Sequence, residues 1–134
     1  MATYLFDTNH LSPLVTLSHP LRRRILTQQE SGDDFATCVP VITETLLGLR
    51  LLPRATQNLQ EWERLKSTFR CHVPDLQDAE QAAELQAMLR KQGWQLETVD
   101  ALIAVVAIRH DLILLTKDRD FRAVPQLQTE NWLV

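Results

Sequence analysis

The stretch TYLFDTN, residues 3–9 of the 134-residue chain, decides the fold. Its first four residues favour a β-strand, and the strand ends abruptly at the small polar residues Asp7, Thr8 and Asn9. Strands of open α/β sheets present polar groups in this way at their carboxyl ends, where such folds bind ligands. The stretch therefore predicts a sheet whose functional edge begins at Asp7.

Beyond this stretch, short apolar runs alternate with helical patterns. We predict further strands at residues 35–39, 71–73 and 113–115, with an edge strand inside residues 127–133. We predict helices at residues 20–29, 41–51, 55–69, 76–92 and 99–110; the last is apolar all round over residues 101–108 and is therefore expected to be buried. This alternation predicts a single domain over residues 1–134, a three-layer α/β/α sandwich around a central, mainly parallel sheet.

The composition is typical of a globular protein, with 45% hydrophobic and 23% charged residues. No segment approaches the ~18 apolar residues of a membrane span, and the N-terminus lacks the basic region of a signal peptide. We therefore expect a cytoplasmic protein with no membrane partner. The cysteines, Cys38 and Cys71, match no metal-binding pattern, and we expect both thiols to be buried in a reducing compartment.

The formal net charge is −3, whereas a protein that binds nucleic acid through phosphate contacts alone is usually basic. A nucleic-acid partner therefore requires another source of positive charge at the contact. A bound divalent cation would supply it.

Four acidic residues share one peculiarity, because each lies where an apolar element starts or stops: they are Asp7, Glu44, Asp100 and Asp118. Strand carboxyl ends and helix amino ends meet at one edge of a parallel sheet. Carboxylates gathered there repel one another strongly unless protons or cations neutralise them. One or two Mg²⁺ or Mn²⁺ ions fit this need, since hard cations prefer oxygen ligands.

Each acid also has a purely structural interpretation, which no single acid excludes. Asp100 would serve as a helix cap, and Asp7 or Asp118 would serve as a turn former. Asp120 leaves open which of two neighbouring acids points inward. Glu44, flanked by apolar residues, would be costly to bury without a partner, unless its helix lies at the surface.

Four sequence blocks resemble the PIN-domain ribonucleases, and most closely the VapC-type toxins of bacterial toxin–antitoxin pairs. In chain order the blocks are YLFDTN (residues 4–9), VITETLLGL (41–49), VDALIA (99–104) and LLTKDRDF (114–121). They resemble the family's strand ending in Asp-Thr-Asn, its second acidic block, its Asp-x-x-Ile-Ala block and its Thr-x-Asp block. Two turn positions where glycine is common carry Asp111 and Gln126 instead, which puts the local loop shape in question.

The resemblance implies a role for each matched residue. The catalytic, metal-binding acids would be Asp7, Glu44, Asp100 and Asp118, and Asn9, Thr116 and Asp120 would support them, with Thr8 as a further candidate. Candidates for contacts with the RNA backbone are Lys117 and Arg119, inside the last block, and Arg24, in the basic run 22–24. The implied activity is Mg²⁺- or Mn²⁺-dependent endonucleolytic hydrolysis of RNA phosphodiesters. The implied partners are RNA, a cognate antitoxin and a second copy in a homodimer.

Three other interpretations remain open. An aspartate-based phosphatase is disfavoured, because Asn9 stands where that chemistry needs a second, proton-donating acid. A signalling receiver domain would use Thr116 and Lys117, but it needs them on successive strands and has no use for Asp100. A PIN fold that only binds a partner would retain four repelling carboxylates at a cost with no compensating role.

Overall fold

The computed structural model describes residues 1–133, so that Val134, the last residue of the predicted domain, lies outside it. The five strands of its sheet are β1 (Thr3–Phe6), β2 (Asp34–Cys38), β3 (Arg70–His72), β4 (Ile113–Leu115) and β5 (Thr129–Glu130). Their order is β3-β2-β1-β4-β5, and every neighbouring pair is parallel. The predicted parallel sheet is confirmed, and β5 is the predicted edge strand.

Helices cover both faces of this sheet. In chain order they are α1 (Thr8–Leu11), α2 (Pro20–Glu30), α3 (Val39–Arg50), α4 (Ala55–Leu65), α5 (Leu76–Lys91) and α6 (Thr98–Arg109). The chain runs outward from β1 through β2 to β3 and then crosses back to β4 on the other side of β1. Because crossovers between parallel strands are right-handed, α1 to α4 lie on one face and α5 and α6 on the other. This is the predicted three-layer α/β/α sandwich.

Two segments differ from the predicted elements by more than a residue or two at their ends. The helix expected over residues 55–69 ends at Leu65 and continues as a 3₁₀ turn, Lys66–Thr68, because Phe69 is already extended as the chain enters β3. The segment after Asp7, for which the sequence predicted no element, forms α1 and a 3₁₀ turn, Ser12–Val15. Asp7 caps α1 by accepting a hydrogen bond from the backbone N–H of Thr8.

The hydrophobic core is one cluster that includes the central strands and the buried sides of α2, α3 and α6. Leu5 and Phe6 of β1 and Leu114 and Leu115 of β4 are fully buried, as is Ile103 of α6. The buried positions of α6 run through five consecutive residues, 103–107, which confirms the prediction of a central buried helix. Among residues 1–133, no helix combines the length and apolar character needed to cross a bilayer.

The two cysteines lie in different environments. Cys38, at the end of β2, is buried, whereas Cys71 is exposed. The expectation of two buried thiols is therefore wrong for Cys71, because β3 forms the outer edge of the sheet and has a neighbouring strand on one side alone.

Two residues other than glycine adopt left-handed backbone conformations, in which a side chain is strained. Asp111 has a φ of 55° between α6 and β4, and Gln126 has a φ of 66° in the loop before β5. These are the two positions at which the sequence carries another residue where glycine is common. The loops therefore keep the turn geometry that glycine would favour, at an expected cost of about 1 kcal/mol each. Asp tolerates this conformation better than Gln does.

We expect Gln126→Gly to stabilise the protein. Relief of the left-handed strain exceeds the entropy that glycine adds to the unfolded chain, so the free energy of unfolding should rise by about 0.5 kcal/mol. The matched control is Gln128→Gly, two residues away at an exposed position with ordinary backbone angles, and it should destabilise. Urea denaturation of both variants measures this, and a loss of stability in both would contradict the strain.

Candidate active site

The four predicted acids meet at the carboxyl edge of the sheet. Asp7 directly follows β1, and its N–H donates to the carbonyl of Leu115 at 3.0 Å, which fixes the end of β1 against the end of β4. Asp118 lies three residues beyond β4, and Asp100 lies in the first turn of α6. Glu44 lies on α3, the helix that follows β2. The topology therefore brings together acids that are far apart in sequence.

The tightest group within this edge contains Asp120 as well. Asp100, Asp118 and Asp120 each offer a carboxylate oxygen, and these oxygens lie within 4.8 Å of one another. Asp118 is half-buried and Asp120 is exposed. The negative charge of Asp118 contributes to the raised pKa of Asp7, and the Thr116 hydroxyl contacts both Asp7 and the backbone of Asp118. Both acids thus face the site, with Asp118 deeper in it.

Asp100 experiences the charge of the whole cluster. Burial and then the negative charges of the four other acids raise its pKa to about 7. In order of decreasing effect, these acids are Asp7, Asp118, Glu44 and Asp120. A carboxyl group with this pKa is half protonated near neutral pH, so the edge as built favours proton or cation binding.

Asp7 is buried, with 5% of its surface exposed, and it is held by three hydrogen bonds. Its Oδ1 accepts from the backbone N–H of Thr8 at 2.8 Å. Its Oδ2 accepts from the Thr116 hydroxyl at 2.7 Å and from the Asn9 amide at 3.2 Å. Burial raises the pKa of Asp7, whereas these hydrogen bonds favour the ionised form and oppose that increase. Thr116 also accepts from the N–H of Asp118 at 3.0 Å, so that it joins both acids.

Glu44 reaches the site from an exposed position. The buried residues of α3 are Val41, Thr45 and Leu49, so Glu44 lies on the side of the helix that is open to solvent. Of the two alternatives for Glu44, the structure has the one in which its helix exposes it to solvent, so no burial cost arises. The hydroxyl of Thr8 donates to Glu44 Oε1 at 3.1 Å, which links α3 to the start of α1.

The basic candidates occupy different surroundings. Lys117 and Arg119 are exposed beside Asp118 in the last block. Arg24 lies on α2, where its guanidinium stacks 3.9 Å above the Trp132 ring. Arg22, in the same basic run, pairs with Glu61 at 2.8 Å. The run is thus partly engaged in intramolecular contacts, and RNA contacts by Lys117, Arg119 and Arg24 stay predictions.

Two residues near the site gave no functional signal in the sequence. His10 is fully buried, and its Nδ1 lies 2.7 Å from the Asn9 carboxamide oxygen. Burial, with help from the charges of Lys117 and Arg24, lowers its pKa to about 4. Trp94 donates from its indole N–H to the carbonyl of Asp120 at 2.9 Å. A histidine one residue past the first block, and a lone tryptophan after a helix, carry no pattern that would have singled them out.

The donor set suits a hard divalent cation. Within the described part of the chain, the only three-residue group suited to hold a metal consists of carboxylates, without histidine or cysteine. Oxygen ligands favour Mg²⁺ or Mn²⁺ over zinc. Burial and the charges of the neighbouring acids raise the pKa of Asp100, because carboxylates held this close repel one another and are stabilised by positive charge.

The chain matches the protein family described as the PIN domain over residues 4–127, and it belongs to that family. The match spans all four sequence blocks. A comparison with curated proteins gave no significant match.

Solved structures share the fold over nearly the whole chain. VapBC2 from Rickettsia felis, bound to a DNA fragment from its promoter, matches with a TM-score of 0.84 and 22% identity over 97% of this chain and 98% of that one. DNA-bound VapBC from Salmonella typhimurium matches with a TM-score of 0.83 and 22% identity over 98% and 99%. A sarcin-ricin-loop-cleaving VapC toxin from Mycobacterium tuberculosis matches with a TM-score of 0.67 and 19% identity over 91% and 95%. The predicted PIN-type fold is confirmed.

We expect Asp100→Asn to stabilise the protein at pH 8 in the presence of EDTA. The folded-state pKa of about 7 lies above the ordinary 3.8, so the folded protein retains a proton that the unfolded chain has lost between these pH values. The contribution of Asp100 to stability therefore decreases as the pH rises from about 4 to about 7 and stays low above it. Asparagine removes this dependence and should add about 1–2 kcal/mol at pH 8, a value reduced because the site is partly solvated.

Urea denaturation at pH 4.5 and pH 8 measures this difference, which should nearly vanish at the lower pH. Glu84→Gln, an exposed acid on α5, is the matched control and should change little at either pH. Mg²⁺ should reduce the advantage of the variant at pH 8. Equal stability of Asp100→Asn and wild type at pH 8 in EDTA would show that the acids do not repel as described.

Proposed function

We propose that this PIN-domain protein is an Mg²⁺- or Mn²⁺-dependent endoribonuclease that acts as the toxin of a toxin–antitoxin pair. The observation that carries the proposal is the convergence of five acids, Asp100 and the four whose charges raise its pKa, at the sheet edge where α/β folds bind ligands. Such a site attracts divalent cations, and these in turn attract phosphate. The formal net charge of −3 is then compatible with an RNA substrate, because the cation rather than the protein surface meets the phosphodiester.

The residues of the site have different proposed roles, which follow from their positions. Asp7, Asp100 and Asp118 would hold the cation from below, with Glu44 and Asp120 completing the oxygen set from the exposed side. When bound, a divalent cation supplies an activated water and stabilises the developing charge on the phosphodiester. Thr116 and Asn9 orient Asp7 through the hydrogen bonds described above. The exposed Lys117 and Arg119 would hold the RNA backbone beside the acids.

RNA is favoured as substrate by the family resemblance of all four blocks and by one similar structure, whose VapC toxin cleaves the sarcin-ricin loop. The rival interpretations lack this support. The receiver fold has strand order 2-1-3-4-5, whereas this sheet has β3-β2-β1-β4-β5. In the phosphatase interpretation Asn9 would be an acid, but here its amide nitrogen donates to Asp7. The interpretation as a binding module without catalysis gives no reason for the fold to keep mutually repelling acids around Asp100.

The partner proteins belong to the same proposal. Similar structures are of VapBC complexes, which supports a cognate antitoxin, and a homodimer and a cytoplasmic location are inferred from the family. Three leucines, one shortly before α2 and two at the carboxyl end of α3, are strongly exposed: Leu17 at 68%, Leu47 at 61% and Leu51 at 77%. An apolar surface of this kind favours a protein partner. Copurification with the product of a short reading frame directly upstream tests the antitoxin.

We expect the purified wild-type protein to cleave total RNA in Mg²⁺ or Mn²⁺ and to be inactive in EDTA. Asp7→Asn should reduce the cleavage rate roughly 100-fold or more, because an amide is a poor ligand for a hard cation and Asp7 is buried at the centre of the hydrogen-bond network. Asp118→Asn should lose more activity than Asp120→Asn, because Asp118 is half-buried and linked to Asp7 through Thr116, whereas Asp120 is exposed. The readout is the rate of fragment formation on a denaturing gel.

Glu80→Gln, an exposed acid on α5 away from the site, is the control variant and should cleave at the wild-type rate. Cleavage by Asp7→Asn at the same rate as wild type would indicate a contaminating ribonuclease and sink the proposal. Cleavage that persists in EDTA would remove its metal dependence.

A further inference from the structure

His10 connects the site to the segment after β5. It lies on α1, three residues after Asp7, and is fully buried. Its Nε2 accepts a hydrogen bond from the backbone N–H of Trp132 at 3.0 Å. Its Nδ1 lies 2.7 Å from the carboxamide oxygen of Asn9. The ring therefore has a partner on each nitrogen, Asn9 beside the acids and Trp132 in the segment after β5.

These two contacts fix the tautomer of His10. A backbone N–H can only donate, so Nε2 must present its lone pair to Trp132. In a neutral imidazole the proton then lies on Nδ1, which donates to the oxygen of Asn9. The opposite tautomer would place two donors against each other at Nε2.

The same contacts fix the orientation of the Asn9 carboxamide. Its oxygen accepts from His10 and from the N–H of Lys117 at 3.3 Å. Its nitrogen consequently faces the other way and donates to Asp7 Oδ2 at 3.2 Å. A flipped amide would place its oxygen against the Asp7 carboxylate, and two acceptors would repel. Together with the N–H of Lys117, His10 thus selects the one orientation in which Asn9 supports an ionised Asp7.

The three hydrogen bonds of Asp7 leave one acceptor site of its carboxylate unoccupied. A carboxylate has about four acceptor sites, two on each oxygen. On Oδ2 both are filled, by Thr116 and Asn9, and on Oδ1 one is filled by the N–H of Thr8. The remaining acceptor site lies on Oδ1. The orientation of Asn9 therefore decides which oxygen of Asp7 is available to a ligand.

The far end of this chain of contacts is firmly held. The Trp132 ring packs edge-on against Tyr4 with centroids 4.8 Å apart, and the Arg24 guanidinium covers its face at 3.9 Å. Its indole N–H donates to Glu130 at 2.9 Å. The backbone N–H of Trp132 consequently has a fixed position from which to set the His10 ring.

We propose that His10 is a positioning residue that transmits the fixed position of Trp132 to Asp7: it orients Asn9 so that Asp7 presents Oδ1 to the divalent cation. This inference rests on the proposed function for the identity of that cation. His10 touches neither the cation nor RNA in this role. Its contribution is to the affinity of the acid cluster for the ion.

Two substitutions of His10 separate its hydrogen bond with Asn9 from its hydrogen bond with Trp132. His10→Asn places an amide nitrogen near the position of Nδ1, so it keeps the donor to Asn9 and loses the acceptor for Trp132. His10→Gln places an amide oxygen near the position of Nε2, so it keeps the acceptor and loses the donor. Both variants lose part of the buried ring and should be destabilised to a similar extent. They differ in whether the Asn9 oxygen still accepts a hydrogen bond from residue 10.

We expect His10→Gln to bind Mn²⁺ about tenfold more weakly than wild type, and His10→Asn to stay within about threefold of it, as measured by calorimetry on the full-length protein without RNA. Equal Mn²⁺ affinity in the two variants would overturn the inference, since the ring would then act through packing alone. A wild-type protein that binds Mn²⁺ but cleaves no RNA would overturn the proposed function and leave this inference standing. A wild-type protein that binds no Mn²⁺ would overturn both.

A measurement on the wild-type protein keeps the inference testable if both variants fail to fold. The ¹⁵N resonances of the imidazole ring distinguish the two neutral tautomers. We expect His10 to carry its proton on Nδ1, and to show a shift of that resonance when Mg²⁺ is added. A proton on Nε2, or no response to Mg²⁺, would overturn it.

Discussion

Carboxylates at one edge of the sheet repel one another, and the rest of the structure must hold them together against this repulsion. Burial and the charges of four neighbouring acids raise the pKa of Asp100 to about 7, so the fold holds together groups that would otherwise separate. Such an arrangement requires a rigid frame. The frame here is the pairing of β1 with β4 at the centre of a sheet covered on both faces, with the Leu115 carbonyl bonded to the N–H of Asp7.

Local hydrogen bonds then decide how each acid is presented. Asp7 both caps α1 and accepts from Thr116, while Asp118 accepts from the N–H of Asp120 at 2.9 Å and caps a 3₁₀ turn, Arg119–Ala123. Asp100 lies in the first turn of α6, where the helix dipole partly offsets the repulsion. The acids that a site needs are therefore the same residues that begin its helices and turns, and their structural and chemical roles do not compete.

The sequence predicted those parts of the site that are coupled to an element boundary. Asp7 and the Thr116–Asp118 segment follow short apolar strands, and Asp100 precedes an apolar helix, so periodicity alone put them at one edge. Periodicity left the exposure of Glu44 open, because that exposure depends on which face of α3 packs against its neighbours. It was silent on His10, because its partner Trp132 is 122 residues away and is reached through a backbone amide that any residue would supply. The left-handed turns at Asp111 and Gln126 were indicated by the missing glycines, but their backbone angles required the structure.

The hydrogen bond between Thr116 and Asp7 spans 109 residues of the chain. Joining points so distant closes a long loop, and its entropic cost is met only when most of the sheet has formed. A chain with β1 and β2 paired holds Asp7 and Glu44 together, but it lacks Asp100, Asp118 and the support of Thr116. The complete acid cluster is thus a property of the finished fold, and a partly folded or truncated chain has no assembled site with which to bind a cation.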